Sequence, residues 1–264
     1  MDAGARLTTL TRIGFATRGV LYLVIAFLVI RLGRAEDPSG ALQYVGQGGG
    51  HVLLSVMAIG LVAYGLWRLS DAAFDIERHG STGKGLLERA GAAVSGVLHL
   101  FLAWQAVRLI RGAAASGDGA REGAETALRL PGGGAMVMLA GLILLGVGAF
   151  QLVKAVKGNF LRHLEPQIAR LPWVQWSGRI GYAARGFVFL ITGFFILRAG
   201  FQEQASEAGG TDRALAWLSS PLDTIVAVGL FGFGLFSLVE ARFRTLHDVP
   251  VAGVVRRVTG GRRL

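Results

Sequence analysis

The sequence predicts an all-α membrane protein: six transmembrane helices made from one two-helix unit repeated three times. The three units run parallel, with a pseudo-threefold axis along the membrane normal as their simplest arrangement. Three observations carry this expectation. Hydrophobic residues make up 52% of the 264 residues and charged residues only 17%, with a mean hydropathy of +0.51. A soluble domain carries about 25% charged residues, so this chain needs lipid or a partner to cover its surface. Six stretches are apolar for about 20 residues, the helix length that crosses a ~30 Å hydrocarbon core. Finally, segments of the chain align with one another without gaps, the mark of a repeat architecture.

The spans lie at about 14–33, 51–70, 91–110, 134–153, 181–200 and 221–240. The first has features of a signal peptide, since Arg12 precedes an apolar run and Gly33-Arg34-Ala35 loosely resembles a cleavage site. The same pattern recurs twice in mid-chain, so this stretch reads as a retained span. Between the odd and even spans lie short amphipathic pieces around Ala41–Val45, Glu122–Leu130 and Thr211–Leu218. Tyr44, Leu130 and Trp217 suit the outer interface, and Trp173 and Trp176 suit the interface ahead of the fifth span. The chain forms one membrane domain with repeats at about 8–78, 85–160 and 175–245, followed by a basic tail, 246–264, suited to anionic lipid.

The odd spans share R-x-G-x-A-x-x-G-x-x-x-L, starting at Arg12, Arg89 and Arg179, and a second arginine follows nineteen residues later at Arg31, Arg108 and Arg198. Nineteen helical residues span roughly 28 Å, so each odd helix has an arginine near both hydrocarbon edges, where it snorkels. The even spans share Gly65, Gly148 and Gly234, then Trp67, Phe150 and Phe236, then Leu69, Leu152 and Leu238, and finally Ala72, Ala155 and Ala241. Three parallel hairpins suggest the pseudo-threefold bundle; a less regular six-helix packing is the alternative.

R-x-G-x-A-x-x-G at 12–19, 89–96 and 179–186, together with the even-span ends typified by Ala63-Tyr64-Gly65-Leu66-Trp67-Arg68-Leu69, resembles a bacterial membrane family catalogued as domain of unknown function 1206. The resemblance covers about residues 8–245. Repeat two departs most, with Ser95 in place of the arginine and with Gln151 and Lys154 in its even helix. The resemblance implies a cytoplasmic-membrane protein of bacterial type and brings no activity, ligand or catalytic residue.

Charge sets orientation. Seventeen Lys and Arg lie in or beside the termini and the 71–90 and 154–180 loops, against eight around the other three loops. By the positive-inside rule both termini are cytoplasmic. The net charge of +10 is accounted for in the same way, and no nucleic-acid partner is expected. There is no cysteine, which excludes disulfides, thiolate metal sites and cysteine catalysis.

Repeats one and three carry Arg18 and Arg185 in the odd span and Asp71 and Glu240 near the end of the even span. In repeat two these positions are Ser95 and Lys154. The acid is present where the arginine is present, which predicts Arg18–Asp71 and Arg185–Glu240 ion pairs, each tying one hairpin together. The functional alternative at these positions is a cytoplasmic gate or an anion site. His99, near mid-membrane, is the other candidate polar site. It reads either as a proton relay or ligand contact, or as a neutral imidazole bonded to a neighbouring helix, since its counterparts are Tyr22 and Phe189.

His51, His79, His99, His163 and His247 have no partner at ligand spacing, so no metal is expected. Gly48-Gly49-Gly50 and Gly132-Gly133-Gly134 precede apolar spans and read as flexible helix starts, not phosphate loops. No cofactor motif and no nucleophile–base set appears, so the chain is not expected to be an enzyme. Two classes remain. The first, favoured by the scarcity of polar residues within the spans, is a structural or interaction protein: a scaffold or subunit, with a membrane-protein partner or a second copy as company. The second is a small transporter or channel with a path along the pseudo-threefold axis. A wet cavity reaching His99 would favour transport, and a dry, glycine-packed axis the scaffold.

Overall fold

The computed structural model describes residues 3–47, 50–77, 79–113 and 119–245, the side chains of 3–8, 10 and 84 aside. The tail 246–264 and Arg78 lie outside the described residues. Six long helices run in chain order: α1 (Ala3–Leu32), α3 (His51–Phe74), α4 (Gly83–Ile110), α6 (Gly133–Lys157), α8 (Pro172–Gln202) and α10 (Leu222–Phe243). Short helices α2 (Pro38–Gly46), α5 (Gly119–Leu128), α7 (Pro166–Ala169) and α9 (Thr211–Trp217) connect them, with single 3-10 turns at Asn159–His163 and Ala205–Glu207. The apolar parts of the long helices run from 22 to 31 residues. At 1.5 Å per residue, even the shortest is about 33 Å long, enough to cross a bilayer.

Local chemistry sets the boundaries. Thr82 caps α4 by accepting the Gly85 N–H at 3.3 Å, and Asp37 caps α2 by accepting the Gly40 N–H at 2.7 Å, with Pro38 in the first turn. Gly158 ends α6 in the left-handed region, φ +67°, donating back to the Lys154 carbonyl. The helices α4 and α8 start eight or nine residues ahead of the predicted apolar spans. These extra turns carry interfacial residues such as Trp173 and Trp176, both exposed, which hydropathy alone does not count.

The long helices are neighbours in the order α6, α8, α10, α1, α3, α4. At three crossings glycine faces glycine. A Cβ placed on Gly19 would lie 3.0 Å from the Gly234 carbonyl oxygen, and one on Gly234 3.0 Å from that of Gly19. Gly96 and Gly65 meet in the same way at 2.9 and 3.0 Å, and Gly186 and Gly148 at 2.9 Å both ways. Lipid gives helices no hydrophobic reason to associate, so small residues that let backbones approach supply the packing. The crossings join α1 to α10, α4 to α3 and α8 to α6. Each odd helix thus packs most closely on the even helix of the preceding repeat, with α1 taking the last repeat's α10. The hairpins of the sequence are not the packing units.

Contacts within a repeat are made at a second small position. Gly14 faces Tyr64 in repeat one and Gly181 faces Phe233 in repeat three, where an added Cβ would come within 2.6 Å. The counterpart in repeat two, Gly91, would meet nothing within 4 Å. Among the described residues, α4 and α6 share no packed face. Burial agrees: 28% and 22% of the apolar windows of α4 and α6 are buried, against 50–61% in the other four long helices. The ring of helices is therefore open between α4 and α6.

At the end of the bundle away from the termini, α2 packs on α1, α3 and α4, and α9 packs on α8 and α10. Leu42 of α2 and Leu215 of α9 are fully buried. Trp217 and Leu130 are exposed as an interfacial position requires, but α2 is inserted into the bundle, because its Ser39-Gly40-Ala41 face is small enough to be covered. The centre is aromatic: Phe233 packs edge-on against Tyr22 at 4.8 Å and Tyr182 at 5.3 Å.

Candidate functional site

The three glycine crossings give a common frame for the charged residues. One residue before the odd-helix glycine stand Arg18, Ser95 and Arg185; three and six residues after the even-helix glycine stand Ser237 and Glu240, Arg68 and Asp71, and Gln151 and Lys154. Crossing by crossing, the sets are Arg18 with Ser237 and Glu240, Ser95 with Arg68 and Asp71, and Arg185 with Gln151 and Lys154.

The first set is closed. Arg18 is buried, donating to Ser237 Oγ at 3.0 Å, to the Tyr64 hydroxyl at 2.6 Å, and to Glu240. The second is closed differently: the cation sits on the even helix, and Arg68 reaches Asp71 at 3.4 Å within one turn. The third has no acid. Among the described residues no carboxylate lies within ion-pair distance (4.0 Å) of Arg185 or Lys154, and the buried Arg185 Nε has no hydrogen-bond partner. The Arg185 guanidinium lies over the rings of Phe189, Phe233 and Tyr22 at 4.8–5.5 Å, and Lys154 Nζ lies over Phe150 at 4.7 Å. Ring faces offset part of the cost of burying a cation; they do not neutralise it.

The predicted pairs therefore need correction. Arg18 pairs with Glu240, not Asp71; Asp71 pairs with Arg68 and His79; Glu240 is shared by Arg18 and Arg244, the latter at 2.5 Å. Arg185 has no carboxylate within 4.0 Å among the described residues. The physical reason is the packing order: an odd helix meets the preceding repeat's even helix, so partners had to be sought between repeats and not within them.

At the same end of the bundle a loop network extends these clusters. Arg244 bonds Glu77, Arg68 lies 3.9 Å from Glu77, and His79 lies 3.3 Å from Asp71 and 2.5 Å from Glu88, which Arg162 approaches at 3.4 Å. Burial works to raise the Glu77 carboxyl, but Arg244, His163 and Arg68 outweigh it and hold the group well below the usual carboxylate range. The hydrogen bond to Asp71 and the surrounding acids raise the His79 imidazole despite burial. His163 goes the other way, lowered to about 3 by burial and by Arg244. Asp71, Glu77 and His79 bring three ligand-type atoms within 4.8 Å of one another, a convergence no sequence spacing announced. Arg68, close to both acids, supplies the positive charge there, so the cluster reads as an ion network.

His99 is buried, as expected of its position. Its Nδ1 donates to the Ser95 carbonyl at 2.7 Å, and its ring lies tilted against that of Tyr64 at 4.5 Å between centroids. The hydrogen bond goes to its own helix and the ring contact to Tyr64 of α3, whose hydroxyl oxygen accepts from Arg18.

The open side of the ring leads into a cavity of about 540 Å³. Its apolar walls come from α4 and α6, including Val94, Leu98, Leu142, Ile143 and Val147. Seven arginines and lysines line it against three acids, Glu77, Glu88 and Glu240. All three acids are engaged in the pairs described above. Among the described residues, three lining cations have no carboxylate within 4.0 Å: Arg185 and Lys154 at the third crossing, and the exposed Lys157 one turn beyond; His99 does not line the cavity. Sequence reading missed the contributions of Arg68, His79, Glu88 and Arg244. The signal for Arg68 was present in the repeat frame, three residues after Gly65 and level with Ser237 and Gln151.

The fold and this site define a six-helix protein of membrane-crossing dimensions, with an internal, cation-rich cavity open between two of its helices. The chain belongs to the family described as Domain of Unknown Function (DUF1206), whose pattern it matches three times, at residues 13–75, 90–158 and 180–244. It is also similar to the uncharacterized protein YxxB of Bacillus subtilis strain 168, 29% identical over 242 residues that cover 87% of this chain and 88% of the relative. No solved structure matches it.

Proposed function

We propose that this chain is a multi-pass protein of the bacterial cytoplasmic membrane, both termini cytoplasmic, that works by binding an anionic ligand in its cavity and is not an enzyme. The observation that supports this is the third glycine crossing, where Arg185 and Lys154 face one cavity with no carboxylate between them. A cation inside a membrane bundle is costly unless paired. The other two crossings each pair theirs, so the third is expected to take its counter-charge from a ligand. Transport straight along the bundle axis has less support, because Phe233 and Phe236 are fully buried and packed against the rings of Tyr22, Tyr182 and Phe160.

The test uses the detergent-purified full chain, thermal stability, and sulfate as a probe dianion. Sulfate should raise the melting temperature of the wild type. The substitution Lys154→Glu, which supplies the acid that the first crossing has, should raise it without sulfate and abolish the response. A wild type indifferent to sulfate and phosphate esters would sink the binding reading. The scaffold reading is favoured by a different observation, the exposed apolar rows of α4 and α6 such as Phe101, Trp104 and Leu139, which would accept a helix of another membrane protein or of a second copy.

A further inference from the structure

Resting on that binding reading, we propose that the ligand is an anionic phospholipid, which reaches the site sideways through the opening between α4 and α6 and seats its phosphate between Arg185 and Lys154.

The opening faces the lipid. The cavity walls at its mouth, Leu98, Leu142 and Ile143, are apolar and 43–53% exposed. Gly91 and Gly146 also line it, and a Cβ at Gly146 meets nothing within 4 Å. A soluble anion has no use for such a mouth, whereas a lipid keeps its acyl chains in it while its headgroup turns inward. Basic pockets between transmembrane helices on the cytoplasmic side bind anionic headgroups in this manner.

The depth fits. Arg179, at the edge of α8, is spent on the end of α6, donating to the Val156 carbonyl at 2.7 Å. Arg185 is six residues deeper, about 9 Å along the helix. A phosphate there sits below the headgroup plane, still within reach of Lys154 near the end of α6. The guanidinium presents its planar donor fork to two phosphate oxygens, and the lysine supplies a point charge. A phosphodiester carries one negative charge, so the two cations compensate it with one to spare. The cavity's own acids do not compete, since Glu240 serves Arg18 and Arg244, Glu77 serves Arg244, and Glu88 serves His79 and Arg162.

The experiment is native mass spectrometry of the delipidated full chain in detergent, titrated with phosphatidylglycerol, phosphatidylcholine or inorganic phosphate. Retention of phosphatidylglycerol at least tenfold above phosphatidylcholine is expected. Lys154→Glu and Arg185→Gln should each reduce it at least tenfold; circular dichroism and melting temperature establish that both variants are folded. Gly146→Phe, which blocks the mouth and leaves both cations in place, should lose phosphatidylglycerol but keep any inorganic phosphate binding. If inorganic phosphate displaces phosphatidylglycerol at equal concentration and Gly146→Phe has no effect, the site is one for free anions: the lipid inference fails and the binding reading survives. If no anion binds in a manner that Lys154→Glu or Arg185→Gln changes, both fail.

Discussion

At the scale of single residues, the three crossings form an internal comparison. Glu240 is buried against two buried arginines, Arg18 and Arg244. Glu240→Gln leaves Arg18 without a carboxylate and Arg244 with Glu77 alone, and breaking a buried pair costs about 3–5 kcal/mol. Arg185→Gln removes a cation that has no carboxylate partner, so its cost should stay below about 1 kcal/mol, the lost ring contacts being of that order. Thermal unfolding of the two variants in detergent checks the contrast, and equal losses would contradict the assignment. Asp37 offers a pH test. Burial and the nearby Asp212 and Glu36 push its carboxyl up to about 6. A raised acid binds its proton more tightly in the folded state, so stability falls as pH rises from about 4 through 6. Asn also caps a helix and carries no charge. Asp37→Asn should therefore flatten this slope and stabilise the protein at pH 7 by about 3 kcal/mol, with little change at pH 4. Which residues matter was largely legible in the sequence: Arg18, Asp71, Arg185, Glu240, Ser95 and Lys154 all stood out by comparing repeats. Who meets whom was not, because within-repeat comparison presumes that hairpins pack on themselves.

At the scale of elements, that presumption fails for a physical reason. A hairpin in lipid gains nothing from burying apolar side chains, so neighbours are chosen by backbone fit, and the best-fitting faces are the glycine rows at 19 and 234, 65 and 96, and 148 and 186. Gly234→Leu should push α10 off α1 and cost at least the 1–3 kcal/mol of an overpacked core, whereas Gly91→Leu, in open space, should leave the melting temperature within a degree or two of wild type. The reverse ranking would show that the ring closes at α4–α6 and not where it is drawn. The six spans and the short helices before each even span were legible because both are written in periodicity and composition. The burial of α2 was not, since a short run of Ser, Gly and Ala reads alike whether it lies on a surface or beneath one.

At the scale of the molecule, the divergence of repeat two, the open side of the ring and the uncompensated charge coincide. Repeat two lacks the odd-helix arginine, carries a lysine for the acid, and is the repeat whose own helices part. One substitution therefore changes charge and shape together: an acid at 154 would pair with Arg185 and fill the cationic end of the cavity. The lipid assignment further requires that this end lie on the cytoplasmic leaflet, where anionic lipid supplies the field that draws basic residues. The count of seventeen cations against eight is the ground for expecting it there. Because the chain has no cysteine, single introduced ones report sidedness cleanly. Ser81→Cys and Ser219→Cys replace exposed residues at opposite ends of the bundle. In intact spheroplasts an impermeant maleimide should label position 219 and spare 81; in inverted vesicles the pattern should exchange. Labelling of position 81 from the outside would put the cavity against the outer leaflet, and the basic loops would then owe their charge to something other than topology.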